Sequence, residues 1–357
     1  MTVRMPVEPV EAAMEADASD AASRTGSLAV RGPLFGVAAQ RREDGGRWRV
    51  TGEVTQGCPQ QARDDLLSLL WFRAKDDARD RAERRALLAA VARLESECVD
   101  ELTVTGTRYR IVRAEEYVGL DVHGGIEQPR PTDEHHASPD WDRGVRHPKI
   151  DEGLVLDPAA PVTPAQAAER LALRALEYTG SRYPDQVRAD SHRAVRSHPD
   201  VLLLPATFAV VERSDGNWAP GSALHVSAHD ARKTLYFSLT WWEPRRCGLI
   251  PMDADVATDA RTLTAEGTDP AAAELAVYAE AAGRLRAGHL NEIEFQGTVS
   301  RIGRIRRLLR WGPDGPEGPR PSDVNSHAPG PIHPALDEDG NVHFADEGAE
   351  EGAEEGP

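Results

Sequence analysis

The feature that most constrains this 357-residue chain is that its two halves repeat each other. From Arg93 the first half reads Arg-Leu, six residues, then Glu-Leu-x-Val-x-Gly-Thr-x-x-Arg-Ile-x-Arg, ending at Arg113. From Arg284 the second half gives the same string, through Glu292, Gly297, Thr298, Arg301 and Ile302 to Arg304, with eight identities in twenty-one ungapped positions. The match extends outward. Trp48 and Trp71 have the same separation as Trp218 and Trp241, with Ala62-Arg63 and Ala231-Arg232 between them, and Phe35 and Val37 fall on Phe208 and Val210. Downstream, Glu127-x-Pro129-Arg130-Pro131-Thr132-Asp133 recurs as Glu317-x-Pro319-Arg320-Pro321-Ser322-Asp323, and His147-Pro148-x-Ile150-Asp151-Glu152 recurs as His333-Pro334-x-Leu336-Asp337-Glu338. The expected organisation is a repeat at 6–157, a linker with an amphipathic helix at 158–183, a second repeat at 184–346, and a disordered acidic tail at 347–357. Two copies are too few for a solenoid, so a pseudo-twofold pair is expected, as if a former homodimer had been fused into one chain.

The pattern of each unit predicts helix, hairpin, helix, helix, hairpin, then an extended Pro-rich tail. Val7, Val10, Met14 and Ala21 follow helical spacing, and Pro184 starts a weaker counterpart. Asp44-Gly45-Gly46 and Asp215-Gly216 supply the positive-φ residues of hairpin turns. Pro59 suits a first helical position, and Ser227-x-x-Asp230 reads as a capping box for a helix through Trp242. Further helices carry Leu87, Val91 and Leu94, and then Leu275, Tyr278, Ala279, Ala282 and Leu285 behind Asp269-Pro270. The last hairpins turn at Gly106 and Gly297. In the linker, Thr163-Pro164-Ala165-Gln166 caps a helix expected to bury Ala168, Leu171, Ala175 and Leu176. Sequential hairpins without crossover units make this an α+β fold with an antiparallel sheet.

A net charge of −17 disfavours broad nucleic-acid binding. Cys58, Cys98 and Cys247 form neither a disulfide framework nor a Cys-x-x-Cys zinc motif, and no stretch suggests a signal peptide or a membrane span. A cytoplasmic monomer acting as a pseudodimer is therefore expected, with no cofactor and no membrane association. His225 and His229 look like a helical metal pair, but if Ser227 is the cap then His225 lies outside the helix, and no metal site is assigned. Cys58 precedes Pro59 at a helix start that would favour a thiolate. Its counterpart is Ser227 and no histidine is near in sequence, so a cap or a small buried residue is the favoured role.

The residues that both halves keep are the candidates for binding: Arg110 and Arg113 with Arg301 and Arg304, and the proline-clamped Arg130 and Asp133 with Arg320 and Asp323. The basic run Arg301, Arg304, Arg306, Arg307 and Arg310 ends in Trp311, which is available for stacking. The alternative is a strand whose solvent face pairs with nearby glutamates, and a Pro-Arg-Pro-(Thr/Ser)-Asp corner that is structural. No Walker, dinucleotide-binding, nucleophile-elbow or His-Glu-x-x-His motif is present.

The strings Gly32-Pro33-Leu34-Phe35-Gly36-Val37, Val54-Thr55-Gln56-Gly57-Cys58-Pro59 and Arg310-Trp311-Gly312-Pro313-Asp314-Gly315-Pro316 through Asn325 resemble a family of uncharacterised actinomycete proteins of the Streptomyces type, catalogued as a domain of unknown function. The resemblance spans nearly the whole chain and implies no catalytic residues, substrate or cofactor. The preferred reading is a non-catalytic binding or regulatory protein whose inter-repeat groove meets a protein or a small anionic ligand. Its rivals are an enzyme that binds an anionic substrate through Arg301, Arg304 and Arg320 with Asp323 as general base, and nucleic-acid binding through the arginine strand.

Overall fold

The computed structural model describes residues 1–134, 140–141, 148–266 and 271–344. His147, the Asp269-Pro270 helix start and the acidic tail at 347–357 lie outside the described residues. The fold is α+β, built on an 11-stranded antiparallel sheet.

In the first half α1 (Pro9–Arg24) leads into β1 (Ser27–Arg41), which turns back as β2 (Trp48–Val50). Then come α2 (Pro59–Phe72), α3 (Arg81–Ser96) and the hairpin β3 (Glu101–Val104) and β4 (Thr107–Leu120). After β5 (Val155–Leu156) and α4 (Pro164–Leu173), the second half runs α5 (Asp185–Ser197), β6 (Asp200–Leu203), β7 (Thr207–Ser214), β8 (Asn217–Pro220) and α6 (Ala228–Phe237). It continues through α7 (Glu243–Arg246), α8 (Ala260–Glu266) and α9 (Ala272–Gly288) to β9 (Glu292–Phe295), β10 (Thr298–Gly312) and β11 (Gly315–Pro316). A separate small hairpin, β12 (Ala335–Leu336) and β13 (Val342–His343), follows. The main sheet runs β5-β2-β1-β4-β10-β7-β8, with β3 alongside β4 and with β6, β9 and β11 alongside β10. Among the described residues no helix is long and apolar enough to cross a membrane.

Local chemistry sets most boundaries. Thr105-Gly106 and Gln296-Gly297 have φ of 49° and 79°, and of 48° and 80°, so both central residues of each turn are left-handed and close two-residue hairpins. Pro59 opens α2, Asp80 caps α3 by accepting from the Glu83 N–H, and Ser227 caps α6 by accepting from the Asp230 N–H. Thr163 and Gln166 form the expected capping box on α4. On one side of the sheet α2 and α3 bury Leu66, Leu70, Leu87, Val91 and Leu94 against Phe35, Val37 and Ile111. In the second half α6 and α9 bury Leu235, Ala282 and Leu285 against Phe208, Val210 and Ile302.

The halves meet where β4 runs antiparallel to β10, with Tyr117 opposite Arg306, Glu116 opposite Arg307, Glu115 opposite Leu308 and Ala114 opposite Leu309. Beside this seam a third core gathers Trp48, Val112, Leu202, Leu309 and Trp311.

Three expectations are corrected. On α1, Val10 and Met14 are exposed, as is Val7 just before the helix, and only Ala21 is buried; the helix instead holds the first Pro-rich corner through a polar contact, Asp17 accepting from the Thr132 N–H. On α4 the buried face is Ala167, Arg170 and Leu173, with Ala168, Leu171 and Ala175 exposed, because the helix ends at Leu173, before Ala175 and Leu176 can complete the other stripe. The helix through Trp242 is α6 followed by a π-helical turn, Ser238–Trp242.

Gly36 on β1 lies against the chain at Glu53 and Val54, where a Cβ would come within 2.7 Å of the Glu53 carbonyl oxygen and 2.9 Å of the Val54 Cα. Gly36→Ala is expected to destabilise the protein by about 1–3 kcal/mol through overpacking against backbone, read as a lower midpoint in urea unfolding. An unchanged midpoint would contradict this packing.

Candidate functional site

Arg113 lies on β4 and Arg304 on β10, and each reaches a proline-clamped corner belonging to the other half. Arg113 Nε donates to Asp323 at 2.9 Å, and Arg304 Nε donates to Asp133 at 2.8 Å. The backbone repeats the exchange: the Arg113 N–H donates to the Glu317 carbonyl at 2.9 Å, and the Arg304 N–H to the Glu127 carbonyl at 2.7 Å.

Each corner is stiffened from within. Asp133 accepts from the Arg130 N–H at 2.8 Å and Asp323 from the Arg320 N–H at 2.7 Å. Arg130 binds Glu127, and Arg320 binds Glu317, each through Nε, at 2.9 and 2.7 Å. A helix carboxylate then holds the next turn, since Asp17 on α1 accepts from the Thr132 N–H and Asp190 on α5 from the Ser322 N–H. Prolines on both sides of each arginine fix the φ values that make this geometry cheap to hold.

At the middle of the cluster Glu115 bridges Arg113, at 2.5 Å, and Arg320, at 3.1 Å, while Tyr178 donates its hydroxyl to the other carboxylate oxygen. Burial alone would raise the Glu115 pKa, but the Arg113 and Arg320 guanidiniums and the Tyr178 hydroxyl outweigh it and hold the carboxyl below its ordinary range. The remaining candidates are also engaged. Arg110 donates to Glu101, to Asp314 and to the Pro316 carbonyl, with its guanidinium 5.0 Å from the Trp48 ring centroid. Arg301 makes the equivalent set with Glu292, the Ile126 carbonyl and the Trp218 ring.

The basic run is not a solvated face. Arg307 is fully buried against Asp151, Arg306 pairs with Glu127 and Glu169, and Arg310 donates to the carbonyls of Arg174 and Leu176. Its strand is central in the sheet and its C-terminal half is buried, so each buried cation needs an internal partner. Trp311, expected to be available for stacking, is buried in the core beside Trp48, because β6 and β11 flank its end of the strand. The cluster thus has the chemistry of a lock, with its donors spent on carboxylates and carbonyls within the chain.

A different place has the shape of a ligand site. A cleft of about 320 Å³ lies where Trp141 of the first half packs on the second, lined also by Lys233, Tyr236, Asp259, Arg261 and Arg286 among others. Trp141 meets Tyr236 edge-on at 5.3 Å, Arg286 lies 5.8 Å from the Trp141 ring centroid, and Arg261 pairs with Asp259 at 2.7 Å. Among the described lining residues three are cations, Lys233, Arg261 and Arg286, and one is a carboxylate, Asp259. Its floor comes from α6, the π-helical turn and α9, and one wall from the connection after α7. Sequence reading missed it because Trp141, Lys233, Asp259 and Arg286 are far apart and carry no motif. The available signal was length: the connection between the second and third helices runs 73–80 in the first half and 238–271 in the second. His225 and His229 do not converge: His225 pairs by backbone with Phe208, and His229 Nε2 lies 2.7 Å from the Asp140 carbonyl.

Removing Asp323 leaves Arg113 with only Glu115, so Asp323→Ala is expected to cost about 3 kcal/mol, whereas Arg113→Met with Asp323→Leu costs less. Asp133→Ala costs less than Asp323→Ala, because the Arg304–Asp133 side chains are 13 and 15 % exposed and those of Arg113–Asp323 only 3 and 6 %. Urea unfolding of the variants checks the ranking. Because the folded Glu115 pKa is depressed, its contribution is complete above the ordinary value of 4.5 and is lost as pH falls below that value. Glu115→Gln should flatten the acid limb of the stability profile.

No curated protein and no solved structure matches the chain. A family model does, over residues 8–326, across both long strands and both Pro-rich corners. The chain belongs to that family, the Family of unknown function (DUF5954).

Proposed function

We propose that the chain is a fused pseudodimer that binds a small anionic ligand with an aromatic body, in the cleft where Trp141 meets Tyr236, Lys233 and Arg286 of the second half. The cleft carries this reading: three aromatic side chains, Trp141, Tyr236 and Phe237, beside Arg261 and Arg286, in a protein of net charge −17. Its volume falls at the lower end of the roughly 300–1,000 Å³ usual for small-molecule sites.

Several observations support the duplication. If Gly106 corresponds to Gly297, then Glu115 corresponds to Arg306, Glu116 to Arg307 and Tyr117 to Leu308. Under that exchange the Tyr117–Arg306 pair becomes Leu308–Glu115, and Glu116–Arg307 becomes itself. A twofold axis between Glu116 and Arg307 would give this ladder, and the crossed Arg113–Asp323 and Arg304–Asp133 pairs obey the same operation. On this reading the arginine–carboxylate lattice joins the halves, and the ligand site arose where the second half lengthened a loop, as binding sites commonly do. Three free cysteines, Cys58, Cys98 and Cys247, fit a reducing cytoplasm.

Isothermal titration with naphthalene-2-sulfonate, and with the neutral naphthalene-2-methanol as control, tests the site. Saturable binding of the sulfonate is expected, weakened about tenfold by Arg286→Gln through loss of a charge-assisted contact and reduced again by Trp141→Ala. Equal binding of the neutral compound, or sulfonate binding indifferent to both substitutions, would sink the reading.

A further inference from the structure

Cys58 stands immediately before α2, with Pro59 at the first helical position. The segment that follows the second proline-clamped corner returns to this helix start from the far end of the chain. There four side chains link in series. Cys58 Sγ is 3.2 Å from Ser326 Oγ, Ser326 Oγ is 2.9 Å from His327 Nδ1, and His327 Nε2 is 2.7 Å from Asp64 Oδ2 on α2. A nucleophile, a hydroxyl relay, an imidazole and an orienting carboxylate are therefore connected, with Ser326 and His327 exposed above a thiol that is 6 % exposed.

We infer that Cys58 is an acyl-accepting nucleophile, with Ser326 relaying its proton to His327 and Asp64 orienting the imidazole. The substrate class is an activated ester. In the acylating step Sγ attacks the carbonyl carbon, a C–S bond forms and the ester C–O bond breaks. The proton leaves the thiol through Ser326 to His327 and passes to the departing alkoxide, which leaves as the alcohol. Water then cleaves the thioester, returning the thiol and releasing the carboxylic acid.

The environment suits that role. Burial would raise the Cys58 pKa, but the hydrogen bond to Ser326 and the backbone N–H groups of Gln61, Ser326 and Gln60 outweigh it and bring the thiol below its ordinary value. Asp64 on Nε2 directs Nδ1 towards Ser326 and stabilises the imidazolium formed when the proton arrives, the part an orienting acid plays in catalytic triads. Ser326 and His327 act on the thiol from a loop that packs on α2 and is not part of the cleft at Trp141. This inference is independent of the ligand site proposed there.

The test uses the full chain and p-nitrophenyl acetate near neutral pH, following p-nitrophenolate by absorbance and locating the acetyl group by peptide mass spectrometry. A burst of about one equivalent per chain is expected, as for acyl-enzyme accumulation, with the acetyl on Cys58. Exposed Cys98 and Cys247 are internal comparators and should stay unlabelled during the burst. His327→Ala should slow the burst about a hundredfold, the lower range for loss of a general base. A readout that a purely structural Ser326 would leave unmoved is the pH midpoint of iodoacetamide alkylation at Cys58. Ser326→Ala should raise it. Acetylation of Ser326, labelling of Cys98 or Cys247 ahead of Cys58, a burst rate unchanged in His327→Ala, or an alkylation midpoint unmoved in Ser326→Ala would overturn the inference.

Discussion

The two halves are joined by a short stretch of backbone pairing between β4 and β10, far shorter than the β1–β4 ladder that runs from Ser27–Leu120 to Arg41–Thr107. What makes so brief a seam hold is that each half sends its proline-clamped corner across to the other's long strand. Asp323 reaches Arg113, Asp133 reaches Arg304, and each strand arginine also donates its N–H to the carbonyl of the glutamate that starts the opposite corner. Buried ion pairs seldom add much net stability, since desolvation consumes most of the Coulombic gain. Their stronger effect here is on register. A slip of β4 against β10 would leave several guanidiniums and carboxylates inside the protein without partners, which costs far more than the pairs contribute.

From this arrangement follows a protein whose repeated chemistry faces inward. Arg110, Arg113, Arg301, Arg304 and the two corner arginines are the residues repeated between the halves, and all are committed to intramolecular acceptors. The features suited to chemistry outside the chain lie where the halves differ. The cleft borders the long 238–271 connection of the second half, and the Cys58–Ser326–His327–Asp64 series has Ser227 in place of its thiol on the other side. On the proposed reading a common frame was kept by the lattice, and both sites formed where the halves differ.

Local signals were legible in the sequence because their causes are local. Gly106 and Gly297 marked left-handed turn positions, Thr163 with Gln166 and Ser227 with Asp230 marked helix starts, and the antiparallel α+β class followed from sequential hairpins. The pairing of each arginine was not legible, because partners such as Asp323 for Arg113 and Asp151 for Arg307 lie far along the chain. The solvent exposure expected of the arginine strand failed for the same reason, since nothing in residues 301–311 shows that other segments cover both sides of β10. The face of α4 was misread because Ala-rich helices offer two apolar stripes, and only the position of the helix end selects between them. His327 stands far from Cys58 in sequence, and only the fold, through Ser326, brings the imidazole to that thiol.

The central claim is that the crossed pairs make the β4–β10 seam the most firmly held part of the molecule and couple the two halves. Hydrogen–deuterium exchange followed by mass spectrometry tests it most directly. The account predicts that amides of 111–118 and 304–311 are the slowest to exchange and that both segments open together, with Asp323→Ala speeding exchange in both. Fast exchange in those two segments while the β3–β4 and β7–β8 hairpins stay protected, or acceleration confined to one half in that variant, would contradict it.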